Sequence, residues 1–302
     1  MGFGDFRGIC NGTSLPLCQV VSPETDMIFQ KLHDGILPKC YARPIELANT
    51  VVFQVGNAFV NIGALIVLIV IVYNIRSKYT AIGRLEMLFF YHILLALTIC
   101  SLIVDCGVSP PGSASYPYFV AVQLALSSAA SWCLMVCGFL GFRFWEDGTN
   151  RSLYFIRISS FLIGAVSFVI AILTFHDWVK NGTLDRTNPI ALFIVIYILN
   201  AIFLFAYVVS QVMLALFVLR NYWVVGVIGL TVASFTIGQV LVYALSRQIC
   251  ESVNHYLDGL FFGSLCNLFS YMMLYKFWDM TTDDDLEFSI SINKNGEVLH
   301  DS

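Results

Sequence analysis

Apolar positions along the chain fall into seven stretches, at about 47–75, 85–104, 118–142, 153–175, 190–219, 224–245 and 256–277, each carrying few charges. A bilayer core needs about 20 such residues per helix and offers the backbone no other hydrogen-bond partner. Turn residues punctuate the gaps: Ser109-Pro110-Pro111-Gly112, Asp147-Gly148-Thr149-Asn150, then Asn181-Gly182 and Asn188-Pro189. The narrowest gap is Arg220-Asn221-Tyr222. One helix running through it would extend about 75 Å at 1.5 Å per residue, too long for one crossing, so two spans are expected there. The pattern predicts an all-α polytopic membrane protein, a seven-transmembrane-helix bundle over 47–277. A tail over 1–46 precedes the bundle and an acidic tail over 278–302 follows it.

Composition agrees, with 58% hydrophobic and 12% charged residues in 302. Soluble proteins carry about 25% charged residues, so this chain cannot cover a water-facing globule of its size. The net charge of −4 and the lack of a basic stripe argue against nucleic acid as a partner. The first long apolar run follows a polar tail, so no cleavable signal peptide is expected and the first span would serve as targeting signal. Phe6 stands where a myristoylation pattern needs Ser or Thr, and the last residues are not a KDEL-type retrieval signal.

Orientation is read from charge and cysteine. Arg76, Lys78, Arg84, Arg143, Arg151, Arg157, Arg220 and Lys276 flank the spans on one side, against Lys180, Arg186 and Arg247 in the loops of the other. The positive-inside rule makes the richer side cytoplasmic. The tail's Arg7, Lys31, Lys39 and Arg43 blunt this bias. Cys10, Cys18, Cys40, Cys106 and Cys250 all lie on the poorer side and none falls in a loop of the richer one. Disulfides persist in oxidising compartments, so the N-terminus is expected in the lumen and the C-terminus in the cytoplasm. Five cysteines leave one thiol free, and spacing alone does not fix the pairing. The sequons at Asn11 and Asn181 would be lumenal, that at Asn150 cytoplasmic and unused.

Polar residues inside spans are candidates for function. Gln54, Asn57 and Asn61 form a stripe on one face of the first helix, suited to a ligand or ion path or to hydrogen bonds within the bundle. Gln123, Asn200, Gln211, Gln239 and Asn267 invite the same reading. These are neutral amides, whereas a pump would be expected to bury carboxylates or a lysine in mid-span. Asp105, His176-Asp177, and His255 with Asp258 gather near the lumenal ends and raise a zinc-dependent hydrolase as one alternative. No His-x-x-x-His or His-Glu-x-x-His supports it, so catalytic residues, metal and cofactor are expected to be absent, and His92 reads as a packing residue. A seven-helix G-protein-coupled receptor is the other alternative. Arg143-Phe144-Trp145 replaces its acidic-Arg-Tyr triplet, and Asn267-Leu268-Phe269-Ser270-Tyr271 lacks its proline.

The opening Phe3-Gly4-Asp5-Phe6-Arg7-Gly8-Ile9-Cys10, followed by Leu15-Pro16-Leu17-Cys18, resembles that of the fungal chitin synthase export chaperone family. The likeness extends through the seven-span layout, the segment Arg143-Phe144-Trp145-Glu146-Asp147-Gly148-Thr149 and the short acidic tail. It implies a non-enzymatic endoplasmic reticulum membrane protein that binds the polytopic catalytic subunit of a chitin synthase, prevents its aggregation and permits its export.

That role would suit a client-facing helix surface, with Gly56, Ala58 and Gly63 on the first helix or Ser127 to Ser131 on the third as candidates, though either set could pack the bundle itself. Asp285 and Glu287 have the Asp-x-Glu form of a di-acidic export signal that vesicle coat proteins could read. Cys10 and Cys18 could close a short loop, or Cys40, Cys106 or Cys250 could tie the tail to the bundle.

Overall fold

The computed structural model describes residues 4, 6–21, 35–47, 50–79, 81–142, 149–176, 178, 189–219 and 222–297, with side chains through residue 282 except those of Leu47 and Thr50. The chain is an all-α polytopic membrane protein. Its long helices are α2 (Val55–Ser77), α3 (Arg84–Asp105), α4 (Tyr116–Leu140), α5 (Asn150–His176), α6 (Ile190–Leu219), α7 (Tyr222–Tyr243) and α9 (Gly259–Glu297). The short α1 (Arg7–Gly12) lies in the N-terminal tail and α8 (Ser246–Ser252) between α7 and α9. Among the described residues, the six helices from α2 to α7 are long and apolar enough to cross a membrane.

Two boundaries differ from expectation. The first span begins at Val55 rather than near residue 47, because Ile45–Leu47 (β1) and Thr50–Val52 (β2) pair as an antiparallel hairpin. An apolar run with Thr50, Val51 and Val52 is as compatible with a strand as with a helix, and β-branching decides for the strand. Phe53 N–H then donates to Asp105 O at 3.2 Å, fixing the hairpin to the end of α3. Gly107, at φ +68°, lets this turn approach: a Cβ there would lie 2.2 Å from Val51 O. At the other end, α9 runs past residue 277 into the segment expected as a separate tail. Its start is set by Asp258, whose Oδ1 accepts from Phe261 N–H at 3.4 Å.

Neighbouring contacts run α2–α3–α4–α6–α7–α9 and back to α2, with α5 packed on α4. The α7–α9 crossing is close because glycines face it: a Cβ on Gly263 would sit 2.3 Å from Val242 Cγ2, and one on Gly238 2.9 Å from Cys266 Cβ. Leu68, Ile75, Phe90, Tyr91, Ile156 and Ile228 centre one buried cluster. A second joins the N-terminal tail to the helix ends, with Phe6, Leu17, Val20 and Val21 against Val104, Val120, Phe175 and Leu192. Outward faces such as Phe59, Ile62 and Ile66 on α2, or Phe161, Leu162 and Val166 on α5, remain exposed as a lipid-facing surface would.

Candidate functional site

The N-terminal tail is a docked cap. The structure pairs Cys10 with Cys18, Cα atoms 5.5 Å apart, and Cys40 with Cys250, Cα atoms 6.0 Å apart. The first pair closes the turn between α1 and Pro16–Gln19, and the second ties the tail to α8. Cys106 is the free thiol of the five, and burial, with the Asp105 carboxylate beside it, raises its pKa. Asn11 is exposed on α1, while Thr13 of the same sequon is buried and donates to Ile9 O at 3.1 Å. Asn181 and Asp177 lie outside the described residues.

Beneath the cap the polar stripe of α2 turns inward. Asn57 and Asn61, one turn apart, donate to Asp105 Oδ2 at 2.7 and 2.9 Å. Asn57 Oδ1 accepts from Ser264 of α9. Gln54 donates to the Ser14 carbonyl at 2.8 Å, and Ser14 donates to Asp258 Oδ2 at 2.6 Å. One set of bonds therefore joins α2, α3 and α9, and a second joins the tail to the residue before α2 and to Asp258. Ser14 and Ser264 were invisible to a search for costly polar residues, since single serines carry no signal.

Among the described residues, the hydrolase ligands raised by the sequence do not meet at one point. Asp258 is engaged by Ser14 and by the start of α9, whereas His255 Nδ1 lies 3.3 Å from Cys40 Sγ and 3.8 Å from Cys250 Sγ. His176 instead stacks on Trp178, with the Tyr118 ring tilted beside it. His92 is exposed rather than packed, its Nδ1 2.5 Å from Leu88 O and its Nε2 3.3 Å from Arg76.

The small-residue patch of α4 faces its own bundle. Ser131 donates to Asn200 Oδ1 at 2.9 Å and Asn200 donates to Ser128 Oγ at 3.2 Å, while Gly164 of α5 closes on Ala125 and Ala129. On α2, Gly56 is filled by Leu257 and Phe261 of the opposite wall, but Gly63 opens outward with nothing near its Cβ position.

At the other end a cavity of about 630 Å³ is lined by Glu86, Cys137, Tyr207, Gln211, Trp278 and Thr281 among others. Glu86 is 1% exposed and accepts from Ser152 Oγ at 3.3 Å. It stands in the first turn of α3, a position whose burial no sequence pattern signals. Nearby, Asp279 of α9 pairs with Lys78 and, at 2.9 Å, with Lys276. Burial opposes its ionisation, but the two ammonium groups outweigh burial and hold its carboxyl below the usual range. Asp285 and Glu287 lie in the last part of α9, where the backbone alone is described.

The two sets of amides, hydroxyls and carboxylates beneath the cap hold the helices and the tail together. A family model described as chitin synthase export chaperone matches residues 2–292. Proteins of that description are 54% identical in Saccharomyces cerevisiae, over 100% of this chain and 99% of the relative, and 55% identical in Candida albicans, over 96% and 93%. In Aspergillus fumigatus the identity is 50% over 98% of this chain and 87% of the relative. No solved structure matches the chain.

Proposed function

The chain belongs to the chitin synthase export chaperone family, and from that premise we propose that it binds the catalytic subunit of a chitin synthase in the endoplasmic reticulum membrane. It is a chaperone and not an enzyme. Binding would shield the client's polytopic membrane domain from aggregation and release it to the cell surface for cell-wall chitin synthesis. The observation that carries this reading is the match to the family over residues 2–292.

The working topology is seven spans with the first part of α9 as the seventh, the N-terminus lumenal and the C-terminus cytoplasmic. It is supported by the disulfide-bonded cysteines gathered with the tail at one end and by the excess of Lys and Arg at the other. Client helices are then met within the bilayer, where association depends on close packing and polar contacts. The outward face of α2 around Gly63 suits that role better than α4, whose small residues are already used. The acidic end of α9 is the candidate address for coat proteins, through Asp285 and Glu287.

The test is complementation. In Saccharomyces cerevisiae lacking its own family member, expression of this chain should move a fluorescently tagged chitin synthase from the endoplasmic reticulum to the cell surface. Retention of the synthase despite normal expression of the chain would refute the proposal.

A further inference from the structure

The Cys40–Cys250 bridge has a companion that a purely structural disulfide does not need. The His255 ring approaches both sulfurs, with Nδ1 3.3 Å from Cys40 Sγ and 3.8 Å from Cys250 Sγ. The three ligand atoms lie within 4.8 Å of one another. The backbone is built to hold the ring there. Asn254 and His255 both adopt left-handed φ, 53° and 66°, a conformation that non-glycine residues rarely take. His255 N–H donates to Cys250 O at 3.1 Å, and His255 O accepts from Arg43 N–H at 2.9 Å. The tail segment bearing Cys40 is thereby laid against α8, which carries Cys250, and the turn after it, which carries His255. Cys40 is 4% and Cys250 0% exposed, while His255 stays partly open to solvent.

We propose that the Cys40–Cys250–His255 trio is a zinc site when the cysteines are reduced, so that one cluster clasps the tail to α8 in either redox state. Zinc bonds of about 2.3 Å to sulfur and about 2.0–2.1 Å to nitrogen at tetrahedral angles set ligand spacings of about 3.8 Å between sulfurs and about 3.5 Å between sulfur and nitrogen. Both observed sulfur–nitrogen distances lie within a few tenths of an ångström of that spacing. The sulfurs have only to separate from their bond by rotation of the side chains. Two thiolates and one imidazole are a donor set that favours Zn²⁺ over the hard cations Mg²⁺ and Ca²⁺, and three protein ligands leave a fourth position for water.

The chemistry balances with a phosphine as reductant. The phosphine and one water supply two electrons and two protons, the S–S bond becomes two thiols, and the phosphine leaves as its oxide. Zn²⁺ then displaces the two thiol protons to solvent. His255 binds through an unprotonated Nδ1 and keeps its proton on Nε2, giving up the contact of Nδ1 with Tyr41 O, now 3.3 Å away.

The test uses the full chain in detergent, purified without a polyhistidine tag. It is reduced with a phosphine, incubated with Zn²⁺ or Co²⁺ and freed of unbound metal by gel filtration. Reduced wild type should retain close to one metal per chain, and with Co²⁺ it should show a thiolate charge-transfer band. Oxidised wild type, reduced His255→Asn and reduced Cys250→Ser should each retain at least tenfold less. Asparagine tolerates left-handed φ, so oxidised His255→Asn should elute as wild type and keep the Cys40–Cys250 bridge in non-reduced peptide maps. The Co²⁺ spectrum of the wild type gives an independent reading if that variant misfolds. No metal on reduced wild type, a Co²⁺ spectrum without a thiolate band, or equal retention by folded His255→Asn would each overturn the assignment.

Discussion

Asn57 Nδ2 donates to Asp105 Oδ2 at 2.7 Å, joining the first turns of α2 to the last residue of α3. Asn61 donates to the same oxygen at 2.9 Å, and Asp105 is 4% exposed. Removing the carboxylate strands two amide donors beneath the cap, at about 1–3 kcal/mol for each one left unsatisfied. Asp105→Ala should therefore lower the melting temperature in detergent clearly more than Asp105→Asn, which still offers an oxygen acceptor. Equal melting temperatures for the two variants would show that the network does not hold these helices.

Asp279 makes a prediction about acid. Its folded pKa is depressed below the ordinary carboxylate value of about 3.9, so its stabilising contribution is present above that value and is lost as pH falls through the lower folded pKa. Above about pH 5, Asp279→Asn should melt below wild type because Lys78 and Lys276 lose their counter-ion. The gap should narrow as the pH is taken below about 4. A gap that is constant over this range would contradict the ion-pair assignment.

The cysteine framework can be read directly by mass spectrometry. Non-reduced peptide maps should contain Cys10 linked to Cys18 and Cys40 linked to Cys250. Of the five cysteines outside the spans, Cys106 alone should take up a small alkylating reagent after denaturation without reductant. A bridge from Cys106 to any tail cysteine would require the tail to dock differently.

The helices were legible in the sequence because hydropathy needs only a run of apolar residues, and α3 to α7 lie close to their predicted bounds. The start of α2 was not, because Thr50, Val51 and Val52 read as apolar in either secondary structure and their pairing with Ile45–Leu47 is a tertiary fact. The shared face of Asn57 and Asn61 was visible by helical spacing, but Gln54 stands before α2 with non-helical backbone, and the partners of all three were not visible. Asp105 and Ser14 come from other parts of the chain, and helix rotation cannot be deduced from one sequence. The same limit hid the burial of Glu86 and the inward turn of the α4 serines.

The end of α9 carries an export prediction. If Asp285 and Glu287 form a coat-read address, replacing both with alanine should leave the chain folded and client-bound while slowing the exit of chaperone and client from the endoplasmic reticulum severalfold. A pulse-chase following both proteins measures this. Normal exit of the double variant would leave the acidic cluster as a solvated helix end.

Two glycine substitutions separate folding from client contact. At Gly238 an added Cβ meets Cys266 Cβ at 2.9 Å and Gly263 O at 3.3 Å, so Gly238→Leu must force α7 and α9 apart, a strain of about 1–3 kcal/mol or more. That variant should melt earlier and fail in export through loss of its own fold. At Gly63 an added Cβ meets nothing within 4 Å and leucine is the better helix former, so Gly63→Leu should not lower the melting temperature. Close approach of a client helix to this face of α2 depends on the absence of that side chain, as small residues permit in membranes generally. Co-purification of the chitin synthase with Gly63→Leu should then fall severalfold although the chaperone is intact. Unchanged co-purification would remove the outer face of α2 from the contact, and would direct the search to the outward faces of α5 and α7.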